Sequence, residues 1–157
     1  MRRLIIIFFA ILFCAEFAQG QNVIIGEKIP TIKSGTWLMD AQPEEATFSC
    51  IIFYHSESKL CQESLKKMIT LCQEYPGQFN LTVITKEDHD TAGVTLTSLL
   101  SDYTGILFDE SGTIFKNFGV KFLPFSVICN SKGRVLWCGN PATLNIDVFK
   151  NIVIKNN

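Results

Sequence analysis

The chain has 157 residues and a formal net charge of −1, which is enough for one domain and too little for two substantial cores. Hydrophobic residues make up 47% and charged residues 18%, a balance that excludes intrinsic disorder. The near-neutral charge and the lack of a Lys/Arg block argue against nucleic acid as the main partner.

Residues 1–20 read as a signal peptide. Arg2 and Arg3 form a positive start, Leu4 to Phe13 an unbroken apolar run, and Ala18 and Gly20 a small-residue cleavage pattern. Cleavage is expected after Gly20. The apolar run is about half the ~20 residues of a membrane span, and no later segment is long and apolar enough. Lipid attachment at Cys14 is the alternative, but the bulky Phe13 stands where a small residue is wanted. The expectation is an exported protein, periplasmic or extracellular, with no membrane span once the leader is removed. Removing residues 1–20 takes away two arginines, Glu16 and Cys14. The five remaining cysteines are Cys50, Cys61, Cys72, Cys129 and Cys138. An oxidising compartment permits disulfides, but an odd number leaves at least one thiol unpaired within the chain.

Residues 21–45 read as an irregular or short-stranded lead-in anchored by Trp37 and Leu38, and residues 46–157 as the domain. Residues 47–54, TFSCIIFY, are apolar and aromatic between polar flanks, which predicts a buried strand. Cys61, Leu65, Met68, Ile69 and Cys72 then recur on one face of a 3.6-residue period and predict a helix over 58–75. Tyr75-Pro76-Gly77 ends it. Phe79, Leu81 and Val83 alternate with Asn80 and Thr82, a strand pattern. A helix over 91–102, a strand over 105–108 and a short helix near 113–118 follow.

Residues 125–129 and 134–138 are expected to pair as a hairpin across Asn130-Ser131-Lys132-Gly133. A four-residue turn would place Cys129 opposite Arg134 and Cys138 opposite Phe125. Residues 142–154 close the chain as an amphipathic helix. The order β-α-β-α-β-α-β-β-α predicts an α/β fold, a central mixed sheet flanked by helices.

The stretch from Phe118-Gly119-Val120 through Leu123-Pro124-Phe125 to Asn130-Ser131-Lys132-Gly133-Arg134-Val135 and Trp137 resembles exported thioredoxin-like proteins of the TlpA and redoxin type. Gly139-Asn140-Pro141, Ile25-Gly26-Glu27-Lys28-Ile29-Pro30 and Trp37-Leu38 resemble the same group. The resemblance implies a thioredoxin-like fold, protein or peptide thiols and disulfides as partners, and no cofactor. It also implies a cis Leu123–Pro124 bond that offers backbone to an extended peptide. Read from the residues alone, Pro124 as a plain strand starter is the lesser alternative.

In that family the chemistry sits where the first strand runs into Cys-x-x-Cys. Here Ser58 falls at the first cysteine and Cys61 at the second, with Glu57 at the usual tryptophan. Thiol–disulfide exchange begins with a thiolate at a helix N-terminus. Serine does not cycle through disulfides, so two-cysteine turnover at 58 and 61 is excluded. Serine is also a strong N-cap, with its Oγ expected to accept from Leu60 or Cys61 N–H. A nucleophilic serine would need a base and an acid; His55 is near, and no acid partner is evident from the sequence.

Cys61 has two readings. It opens the apolar stripe as an inert core thiol, or it is a redox thiol acting with a partner, with peroxide or with a second cysteine. Ser58-x-x-Cys61 has the spacing of a peroxiredoxin motif, but Tyr54 stands where that family's proline belongs and Pro124 about where its arginine belongs. Cys72 is roughly 16 Å along the same helix from Cys61, beyond disulfide reach. Cys138, placed beside the residue after Pro124, is the best long-range candidate for a second thiol. His55 and His89 lack any spacing of His, Cys or carboxylate that would hold a metal. Glu87-Asp88-His89-Asp90 reads as a solvated loop capping the next helix.

Three functions remain open: a thiol redox protein of thiol–disulfide oxidoreductase type with a degenerate site, a non-enzymatic module binding a peptide or partner protein at Leu123–Pro124, and a peroxidase using Cys61.

Overall fold

The computed structural model describes residues 23–156; the expected signal peptide, residues 1–20 with Cys14, lies outside them. A six-stranded sheet in the order β1-β4-β3-β2-β5-β6 forms the centre. Its strands are β1 (Thr36–Trp37), β2 (Phe48–Tyr54), β3 (Phe79–Thr85), β4 (Thr104–Phe108), β5 (Phe125–Asn130) and β6 (Val135–Gly139). β2, β3 and β4 run parallel. β1, β5 and β6 each pair antiparallel with their neighbours. The helices are α1 (Lys59–Gln73), α2 (Val94–Thr97), α3 (Thr113–Asn117) and α4 (Ile146–Asn156).

β2 and β3 are covered on both faces, which is why they read as apolar runs. Phe48, Cys50 and Ile52 share one core cluster with Cys61, Leu65 and Met68 of α1 and with Phe149 of α4. Ile51 and Phe53 face the other cluster with Phe115 and Phe118. Phe53 packs edge-on against Phe115, ring centroids 4.9 Å apart. Burying one such aromatic is worth about 2–3 kcal/mol.

The lead-in is more built than its sequence indicates. Leu38 is 1% exposed, and β1 adds a sixth strand to β4. At the opposite border Gly26 N–H donates to Val135 O and Val135 N–H to Glu27 O, both 2.8 Å. Gly105 is required where the lead-in crosses β4, because a Cβ there would come within 2.8 Å of the Trp37 ring and 2.6 Å of Pro43. This cover also buries the polar positions of β3: Asn80 donates its side-chain N–H to Glu44 O at 2.8 Å. β3 therefore continues to Thr85 with every residue buried.

Three expected elements are corrected. The helix over 91–102 is a π-helical turn at His89–Gly93 followed by the four residues of α2. Gly93 and the β-branched Val94, Thr95 and Thr97 are poor helix formers, and Thr97 Oγ1 bonds back to Gly93 O at 2.6 Å. The closing helix starts at Ile146. Asn140 caps a short 3-10 turn through Ala142 N–H, and Asn145 Oδ1 then accepts from Val148 N–H at 2.8 Å, so two caps split the segment. In the hairpin, Cys129 faces Val135 but Val127 faces Cys138, with a register shift between Ile128 and Cys129. Cys129 already pairs one residue later than expected, and the inserted residue of this bulge adds one more, so Cys138 stands two residues along from Phe125, opposite Val127.

Candidate functional site

The parallel strands β2 and β3 end at Tyr54 and Thr85. In open α/β sheets, sites gather beyond the carboxyl ends of such strands. The β2–α1 loop, the residues after β3 and the loop before β5 surround this end.

Ser58 is the N-cap of α1, at φ −85° and ψ 110°. Its Oγ accepts from Cys61 N–H at 3.3 Å, satisfying one of the free donors of the first helical turn. Cys61 starts the buried stripe and is 0% exposed. Of the expected stripe, Leu65 and Met68 are buried with it, Ile69 and Cys72 lie half-buried at its margin, and Leu71 joins.

The Leu123–Pro124 peptide bond is cis. Phe53 faces Phe125 across β2 and β5, a register that carries Pro124 alongside Tyr54. Pro124 is buried and Leu123 half-buried. Beside them opens a cavity of about 360 Å³ bordered by Tyr54, His55, Phe115, Val120, Phe122 and Leu123. Phe122 is 52% exposed at its mouth and stands edge-on to Phe125 at 5.6 Å.

Glu87 is the residue that sequence reasoning missed. It is not a solvated loop residue: its side chain is 8% exposed. It accepts from Ser56 N–H at 2.8 Å and from Thr85 Oγ1 at 2.9 Å, and from Ser56 Oγ. His55 Nδ1 lies 3.7 Å from its carboxylate. Burial works to raise the Glu87 pKa, but the hydrogen bonds from Ser56 and Thr85, helped by His55, outweigh it and hold the group below its ordinary value. The carboxylate thus stays ionised and fastens the β2–α1 loop to the end of β3. The available signal was its place two residues beyond the end of a parallel strand. Asp88, by contrast, caps the next turn through Thr91 N–H at 2.7 Å, as expected.

Tyr54, 3% exposed, completes this end. Burial, then the Glu87 charge and Cys61, push its phenol upward, so it stays neutral. Glu87 also supplies an acid near His55, which the sequence did not reveal. His55 Nδ1, however, accepts from Glu57 N–H at 3.3 Å, while Ser58 Oγ is taken by the cap.

The proposed second thiol is corrected. Cys138 packs against the cluster of Phe53 and Phe115, whereas Cys61 belongs to the cluster on the other face. The sheet stands between them. Cys129, also on the far face, donates to Ser49 O at 3.7 Å, and burial pushes its thiol up to about 11. Burial raises Cys138 as well. The five cysteines among the described residues are all free thiols. Among the described residues no group of three or more His, Cys, Asp and Glu side chains could hold a metal ion, and no helix is long and apolar enough to cross a membrane.

No protein-family model matches the chain, and no curated protein matches it. Solved structures do. The thioredoxin domain of a thiol-disulfide oxidoreductase from Bacteroides vulgatus is similar over 86% of this chain and 99% of its own, at 13% identity and a TM-score of 0.65. A thiol peroxidase from Chromobacterium violaceum is similar over 84% and 87%, at 12% identity and a TM-score of 0.63. The exposed lipoprotein thioredoxin of Streptococcus pneumoniae is similar over 75% and 89%, at 17% identity and a TM-score of 0.54. At these identities the likeness is one of fold. With its six-stranded mixed sheet, flanking helices and cis-proline before β5, this chain has the thioredoxin-like fold.

Proposed function

We propose that this is an exported thioredoxin-fold protein of the thiol–disulfide oxidoreductase type that has lost two-thiol turnover at Ser58 and Cys61. It keeps the binding half of the fold's work: an extended segment of a partner protein pairs with the backbone at Leu123, beside the cis bond to Pro124. The observation that carries the reading is the state of the two motif residues. Ser58 is committed to the helix cap, and Cys61 is wholly buried. A thiol must reach its target to exchange; Cys61 is out of reach of a partner, and Ser58 carries no thiol. The half-buried Leu123 and the apolar cavity next to it support the retained binding role.

The test is insulin reduction by wild type beside Ser58→Cys. Wild type is expected to give near-zero turnover and the variant a measurable gain; equal activity would contradict the assignment of position 58. Export rests on residues 1–20, and the secreted protein is expected to begin at Gln21 by N-terminal sequencing. A peroxidase role for Cys61 predicts Cys61-dependent peroxide consumption, and its absence removes that alternative.

A further inference from the structure

We infer that the cavity between the lead-in and the first residues of β2 and β3 is a binding site for a neutral hydroxylated ring compound of mono- or disaccharide size.

Strand register builds its floor. Ser49 pairs with Asn80 of β3 on one side and with Cys129 of β5 on the other. Ile51, two residues on, pairs with Thr82. Strand residues two apart share a face, so Ser49, Asn80 and Thr82 form a polar patch on the face that carries Ile51 and Phe53. Trp37 borders the patch, because its ring packs over Gly105, the register neighbour of Thr82. The lead-in covers these residues and leaves a cavity of about 640 Å³, with Ile29, Ile32 and Ile51 as apolar wall. Apolar walls with a few convergent polar groups are the usual form of a small-molecule site. From Ser49 to Tyr54 is five strand residues, or ~17 Å, so the cavity lies at the other end of the sheet from Ser58.

The polar groups define the ligand. Thr82 is 8% exposed, and its hydroxyl, with no hydrogen-bond partner among the described residues, opens onto the cavity. The Ser49 hydroxyl is likewise unengaged among them. Asn80 is fixed by the N–H it donates to Glu44 O, which leaves its Oδ1 to accept. An amide oxygen only accepts, while a hydroxyl donates and accepts. The ligand therefore brings a donor, which a carboxylate cannot. Among the described residues no carboxylate borders the cavity to hold a cation, and its one charged neighbour is the exposed Lys33. Ligand hydroxyls answer Ser49, Asn80 and Thr82 without bringing charge. The C–H faces of the ring that carries them suit the indole of Trp37 and the isoleucine wall.

The experiment titrates the 15N-labelled protein with glucose, N-acetylglucosamine and maltose into the millimolar range, with glucuronate and glucosamine as charged comparators, and follows amide and indole N–H shifts. The expected result is saturable shifts with at least one neutral sugar at Ser49, Asn80, Thr82 and the Trp37 indole, with none at Leu123. Thr82→Val keeps the shape and removes the hydroxyl; it is expected to weaken binding roughly three- to tenfold, the worth of one hydrogen bond. The inference is overturned if no neutral sugar saturates, if the shifts map elsewhere, if a charged comparator binds as tightly, or if Thr82→Val binds like wild type. The wild-type map decides the matter even where the variant fails to fold. It is also independent of the insulin assay, so failure here leaves the reading of Ser58 intact, and the reverse.

Discussion

Ser58 Oγ accepts the backbone N–H of Cys61 at 3.3 Å, so the hydroxyl that stands for an attacking sulfur works as the cap of the helix carrying the second motif residue. Ser58→Ala is expected to lower stability by about 1 kcal/mol. Asp at this position, another strong cap, is expected to restore most of it. Chemical denaturation midpoints of the three proteins check this. A loss well above that range would point to a role for Ser58 beyond capping.

Glu87 gives a pH-dependent test. Its folded-state pKa lies below the unfolded value, so the unfolded chain binds the proton more readily. The stability it contributes is fully present above the ordinary carboxylate pKa and is lost as pH falls through the lowered folded value. Glu87→Gln is expected to destabilise by about 2 kcal/mol at neutral pH, through loss of charge-assisted bonds to Ser56 and Thr85. The gap between wild type and variant should narrow on acidification. A constant gap from neutral pH down to the acid transition would refute the assignment.

Ser64, 2% exposed, carries the one buried side-chain polar atom without a hydrogen-bond partner among the described residues. Burying an unsatisfied hydroxyl costs about 1–3 kcal/mol. Ser64→Ala on the interior of α1 also improves helix propensity. Thermal unfolding is expected at a higher temperature in the variant; a lower one would indicate a partner for that hydroxyl.

Thiol labelling should separate the cysteines by depth. At pH 8 a thiol raised to about 11 is ionised in roughly one molecule in a thousand, and Cys129 is buried besides. Cys129, Cys50 and Cys61 should stay unlabelled until unfolding, while the half-buried Cys72 and Cys138 react before them. Rapid labelling of Cys61 in the folded protein would revive a redox role for it.

Much of this architecture could be read from residue order. The apolar run of β2, the stripe Cys61-Leu65-Met68 and the Pro124-to-Val135 block each carried a local signal strong enough to place them. The relations that failed were non-local. A turn one residue longer than expected and one inserted residue together shifted the β5–β6 register by two and moved Cys138 along the strand, because pairing depends on turn and bulge geometry that residue order does not reveal. Glu87 looked solvated amid Lys86, Asp88 and Asp90, since nothing in that string announces that Ser56 folds over it. Asn80 and Thr82 looked outward-facing until the lead-in was seen to lie across them.

The lead-in grips both margins of the sheet, β1 lying along β4 and Gly26–Glu27 along Val135. Unpaired strand margins are templates for another chain. A proteolytic cut between these two attachments would therefore do more than loosen a peripheral segment. It would free the piece that covers Val135 and bare the rim at β6, while β1 stays joined to the body, turning a self-contained particle into one able to pair with its own kind.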